Sequence, residues 1–139
     1  METRYRFFDH TADLGLEFFG NDERELYENA SRALFDIMTD IGSVAVTERR
    51  RFNIDGTDRT DLLINFLREI LYLCNGEGLL LRDISIVEMT DRALSVEVRG
   101  EYFDPERHVI KKEIKAVTYH RAEVKKTLRS WVGRVIFDV

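Results

Sequence analysis

The sequence predicts an α+β fold, an α/β sandwich in which a mixed, largely antiparallel sheet carries two packed helices. Three observations predict it. Two segments repeat apolar residues at helical spacing, seven others alternate as strands do, and their order is not the regular βαβα of a parallel sheet. A chain of 139 residues, 44% hydrophobic and 34% charged, suits a single folded domain over residues 1–139 with its own core.

The elements follow in order. Residues 5–7 form a first strand, and Leu14, Leu16 and Phe18 alternate in a second, across an Asp/His/Thr-rich turn. A helix follows Asn21-Asp22, with Leu26, Ala30, Ala33, Leu34, Ile37 and Ile41 recurring on one face. Asp22 and Glu25 have the form of a capping box, and Gly42 marks the stop. Residues 51–54 form a strand bounded by Asp55-Gly56. The second helix runs over 61–74, with Leu62, Leu63, Phe66, Leu67, Ile70, Leu71 and Cys74 on a broad face. Thr60 or Asp61 caps it, and Asn75-Gly76 offers a left-handed exit. Residues 84–86 and 94–98 make a hairpin through Thr90-Asp91-Arg92, and Pro105 marks a turn in Asp104-Pro105-Glu106. Strands over 114–118 and 131–137 complete the set, with no internal repeat or linker.

Composition narrows the function. A lone cysteine, Cys74, forms no internal disulfide, and on an apolar helix face it reads as an inert thiol. The first eight residues lack the apolar run of a signal peptide, and no stretch reaches the ~18 apolar residues of a membrane span. A cytoplasmic protein without membrane contact is the expectation. The net charge of −5 is unevenly spread: residues 1–106 carry −11 and residues 107–134 carry +7. The basic stretch suits an anionic partner such as RNA, a nucleotide or an acidic protein face, or else it neutralises the acidic body.

Phosphate-loop, dinucleotide, nucleophile-elbow and zinc-protease motifs are all absent. His10, His108 and His120 are isolated from one another in sequence, which disfavours zinc. Three segments remain. Asp9-His10-Thr11-Ala12-Asp13-Leu14-Gly15 gathers two carboxylates, an imidazole and a hydroxyl where two strands turn. Such oxygens suit a hard divalent cation, or they hydrogen-bond the turn backbone. Asp138 and the carboxylate of Val139 place two anionic groups side by side, which calls for a cation or for full hydration. In Lys115-Ala116-Val117-Thr118-Tyr119-His120, alternation puts Ala116, Thr118 and His120 on one face and Lys115, Val117 and Tyr119 on the other.

Taken together with Gly100-Glu101, Asp104 and His108, these segments resemble the archease family from Phe8 to Val139. The resemblance implies an accessory protein of the RtcB-type RNA ligase, which joins exon halves in tRNA splicing and RNA repair. Such a protein is not the ligase; it promotes guanylylation and multiple turnover. The resemblance also implies a divalent metal held by Asp13, Asp138 and Val139, with calcium expected and magnesium or manganese as alternatives. Lys115 is implicated as a contact to the partner or a nucleotide, with His120 and His10 beside it. Contact with tRNA or GTP would be indirect. Two other classes compete: a metal-dependent phosphohydrolase, marked by turnover of a phosphate ester alone, and a chaperone or RNA-binding module, marked by salt-dependent tRNA affinity.

Overall fold

Neither helix is covered on one side only. In α1 (Glu23–Met38) Arg24 and Asp36 alone are exposed, and in α2 (Arg59–Asn75) only Arg59, Arg68, Tyr72 and Asn75 are. A helix so little exposed has to be covered on two sides. The computed structural model, which describes residues 5–8 and 13–139, shows two sheets providing that cover.

One sheet has four strands in the order β1 (Tyr5–Phe8), β2 (Leu14–Gly20), β7 (Trp131–Asp138), β6 (Ala116–Lys126). The other has three, in the order β3 (Glu48–Asp55), β5 (Ala93–Tyr102), β4 (Leu79–Met89). Every strand pair among the described residues is antiparallel. α1 packs on β2 and β7 to one side and on β4 to the other, while α2 lies between β6 and the pair β3 and β4. The helices therefore form a middle layer. A single core runs through all three layers, from Leu16, Phe18 and Phe137 through Leu34, Phe66 and Leu67 to Ile86, Val96 and Val98.

The expected α+β class, two helices and seven strands are all present. Their division into two sheets is the addition, and its cause is the second buried face of each helix. Some boundaries differ. α1 stops at Met38, because Thr39 leaves in an extended conformation, and Ile41–Ser43 forms a separate 3-10 turn capped by Asp40. Gly42 is thus not the helix stop. Asp58, not Thr60 or Asp61, caps α2: its Oδ1 accepts from the Asp61 backbone N–H at 2.8 Å. Asp61 reaches back to accept from the Thr57 N–H at 2.9 Å, which completes a reciprocal box. At the far end Gly76 stays right-handed, and the left-handed residue is Gly78, at φ 72°, whose N–H donates to Cys74 O at 3.0 Å.

Burial on two sides has a measurable consequence. Phe66→Ala should lower the unfolding free energy by about 3–5 kcal/mol, since Phe66 is fully buried and its loss leaves a cavity. Tyr72→Ala, on the exposed stripe of the same helix, should change it by less than about 1 kcal/mol. Chemical denaturation of the two variants checks this; similar losses at both positions would contradict it.

Candidate functional site

β7 lies between β2 and β6, and its register on both sides builds one end of the four-stranded sheet. Leu14 and Val117 both pair with Phe137, and Ala116 pairs with Asp138. The Lys115 N–H donates to Asp138 O at 2.8 Å, one step beyond the strand. Asp13 immediately precedes Leu14 and Asp138 immediately follows Phe137, so the two aspartates flank one paired position at the end of these strands. Residues far apart in sequence are thereby brought to neighbouring strand ends.

Alternation then sorts them by face. Phe137 and Leu14 point to the helices and pack in or against the core. Asp138 falls on the outer face, which it shares with Ala116 and Thr118; the Thr118 hydroxyl donates to Ile136 O at 2.8 Å. Asp138 is exposed. Val139 turns its side chain back against the core, so its backbone oxygens stand at the sheet end. Lys115 opposes Val139 on the helix side, where it lines an open groove with Arg68, Tyr72 and Asn75 of α2. The segments singled out in the sequence thus meet at one end but divide between two faces.

The alternation expected of residues 115–120 holds as far as Tyr119, whose hydroxyl donates to Asp61 Oδ1 of α2 at 2.5 Å. This bond is the first cause of a lowered Asp61 pKa and a raised Tyr119 pKa. Beyond it the strand bulges. From Thr118 to Glu123, β6 advances five residues against two of β7, and Arg121 takes a left-handed φ of 53°. His120 sits exposed at the start of this bulge. His10, with Asp9, Thr11 and Ala12, lies outside the described residues.

The donors at this end fit a hard cation in kind. Carboxylate and backbone oxygens suit calcium, magnesium or manganese, which prefer oxygen ligands. Among the described residues no group of three or more His, Cys, Asp or Glu is arranged around one point. Asp13 and Asp138 would therefore need backbone oxygens, water or neighbouring groups to complete a coordination shell.

A second polar cluster escaped the sequence reading. The Glu101 carboxylate, buried at 5% exposure, accepts from the Ala45 N–H at 2.9 Å and from His108 Nε2 at 2.7 Å on Oε1. Its Oε2 accepts from Arg107 Nη2 at 2.6 Å. His108 Nδ1 accepts the Asp104 N–H at 2.9 Å, which assigns the ring proton to Nε2. Arg107 foremost, then the Ala45 N–H, hold the Glu101 carboxyl down at about 2. The Gly100-Glu101, Asp104 and His108 pattern thus ties the long connection from β5 to β6 onto the body. Their closeness within residues 100–108 was the available signal; weighing His108 only against the other histidines hid it.

The basic stretch divides as well. Arg107 is bound to Glu101 and Asp104, Arg134 stacks over Phe8 at 4.2 Å, and Lys125 pairs with Glu123 at 3.5 Å. Lys111, Lys112 and Lys115 are exposed. Part of the stretch neutralises its surroundings and part faces solvent. Cys74 is half-buried and burial raises its thiol pKa, as an inert thiol requires.

Comparison with known proteins decides the family. Residues 5–139 match the model of the Archease protein family (MTH1598/TM1083). The chain belongs to the archease family. It is 34% identical to the protein archease of Pyrococcus abyssi, over 98% of this chain and 99% of the relative. It is 36% identical to that of Archaeoglobus fulgidus, with the same coverage. The solution structure of Methanobacterium thermoautotrophicum protein 1598 is 35% identical and superposes with a TM-score of 0.80, covering 98% of this chain and 99% of that one. A crystal structure of an archease from Thermotoga maritima, 23% identical with a TM-score of 0.67 over 100% of this chain and 99% of that one, shares the fold. No helix among the described residues is long and apolar enough to cross a membrane.

The Glu101 cluster predicts a direction with pH. A carboxyl held down in the folded state contributes stability that is fully present above its unfolded value of about 4.3 and is lost as pH falls toward about 2. Glu101→Gln should lower the melting temperature at pH 7, and the gap to the parent protein should narrow as pH drops from 5 to 2. Thermal melts across that range test it; a constant gap would show that ionisation of Glu101 does not matter.

Proposed function

We propose that this archease is a non-catalytic accessory protein of an RtcB-type RNA ligase. It promotes guanylylation and multiple turnover of that ligase in tRNA splicing and RNA repair, in the cytoplasm. The observation that carries this reading is the family match over residues 5–139; the Leu14–Phe137 pair, which Asp13 and Asp138 flank, supports it.

In this reading Asp13 and Asp138 present hard oxygen donors from adjacent strands, with the backbone oxygens of Val139 at the same sheet end. Calcium is the expected ion, with magnesium or manganese as alternatives, and when bound it supplies positive charge for phosphate or carboxylate oxygens of the partner. The backbone of Asp138 is held by its pairing with Ala116, and Asp13 directly precedes the paired Leu14, which supports a site at this sheet end. Lys115, on the other face of the same end, is a mobile point charge suited to a phosphate or a partner carboxylate and not to ligation of a cation. We assign His120, exposed on the bulge, to the contact with the partner or a nucleotide, and His10 to the same contact on the family resemblance. Contact with tRNA or GTP is made through the ligase.

Three measurements test this. Asp13→Ala or Asp138→Ala should lower stimulation of ligase turnover by about tenfold or more, with the melting temperature little changed. Unchanged stimulation in multiple-turnover ligation would overturn the metal reading. Lys115→Ala should weaken stimulation while metal affinity, measured by titration, stays as in the parent. Extending the chain beyond Val139 with a tag should reduce metal affinity and stimulation together, whereas a tag before Met1 should not. Equal behaviour of the two tagged proteins would remove Val139 from the site.

A further inference from the structure

The exposed residues Arg68, Tyr72 and Asn75 of α2, spaced four and three apart, form one stripe facing residues 115–117. With Lys115 they line an open groove of about 470 Å³. That lies within the ~300–1,000 Å³ typical of small-molecule sites.

The lining groups are individually held. The Tyr72 ring lies against Gly76, where a Cβ would come within 2.5 Å of the ring, so residue 76 must lack a side chain to seat it. Tyr72 nevertheless remains 54% exposed. The Arg68 guanidinium lies 4.7 Å from the centre of the Tyr119 ring, and Asp61 anchors the Tyr119 hydroxyl. Asn75 Nδ2 donates to Ile114 O at 2.9 Å, which leaves its Oδ1 to accept. The Lys115 backbone is tied to Asp138, and its ammonium brings a second cation to the groove wall. Asp61, which anchors Tyr119, is also engaged by Thr57 and Asn65.

A seated aromatic ring, an amide acceptor and two cations match the parts of one ligand class. The ring offers a π-face to a planar base, the amide oxygen accepts from a base N–H, and the cations meet a phosphate. We propose that the groove between α2 and β6 binds a nucleotide, either free or as one unit of a single strand. This departs from the ligase reading, in which contact with tRNA or GTP is indirect, and shares only Lys115 with it, since binding here is a property of the isolated chain.

Equilibrium titration of the isolated protein tests it without any ligase. The probes are guanosine monophosphate, a single-stranded oligouridylate and inorganic phosphate. The expected result is saturable nucleotide binding that Tyr72→Ala weakens at least about fivefold and Tyr72→Phe preserves. Arg68→Ala should weaken nucleotide and inorganic phosphate alike, whereas Tyr72→Ala should leave phosphate affinity unchanged. Gly76→Ala, which displaces the Tyr72 ring without altering charge, should reproduce the Tyr72→Ala loss. Should Tyr72→Ala fail to fold, Tyr72→Leu carries the same expectation, because it keeps apolar cover and removes the π-face. Saturation by the monophosphate supports a free nucleotide; saturation by the oligonucleotide alone, with the same Tyr72 dependence, supports a strand. Absence of saturable binding to either, or equal nucleotide affinity in parent and Tyr72→Ala proteins, overturns the proposal.

Discussion

The functional end depends on the double pairing of β7, with β2 on one side and β6 on the other. Side chains alternate with a period of two along a strand, so a slip of one residue in either pairing would exchange Phe137 for Asp138 on the core face. Phe137 is fully buried and meets Phe18 edge to face with ring centres 6.4 Å apart. Replacing that contact by a buried carboxylate costs several kcal/mol by desolvation alone. The apolar core therefore enforces the register, and the polar end inherits its geometry from it. Asp138 faces outward because Phe137 cannot.

This separation of roles explains which features the sequence made legible. Helices and strands were readable because their apolar spacing is local: Leu26, Ala30, Ala33 and Leu34 mark α1, and Leu94, Val96 and Val98 mark β5. The division into two sheets was not readable, because it depends on which strand covers the second face of each helix. The cap of α2 moved from Thr60 or Asp61 to Asp58 because several neighbouring residues can accept the same backbone donors. The segments gathered at the sheet end were recognisable only as a set, through the family resemblance; nothing local says that Asp13 and Asp138 are neighbours. The Arg121 bulge had no signal at all, since no glycine or asparagine marks that left-handed position.

Lys115 links two surfaces that differ in character. On the outer face of the sheet end stands the Asp138 carboxylate, which favours a hard cation. On the helix side, the same strand start joins α2 in a groove with Arg68 and Tyr72, which favours an anion with a flat ring. Opposite charge preferences are kept apart by one pleat of the sheet. That arrangement would keep the two proposed sites from neutralising each other. The Glu101, His108 and Arg107 cluster serves a different end: it fastens the long connection that delivers Lys115 to the start of β6.

The bulge in β6 bears on how this molecule meets others. β6 is one of the two edge strands of the four-stranded sheet, and an edge strand ordinarily offers a ready ladder of backbone donors and acceptors to any passing chain. Here the pairing of β6 with β7 is interrupted over residues 119–122, so the strand bends there, and Arg121, Lys125 and Lys126 add charge along it. A straight strand laid against this edge would find matching partners only over a few residues at a time. Stacking of identical copies through this edge is thereby discouraged, and recognition along it has to be made by side chains instead of by an added strand.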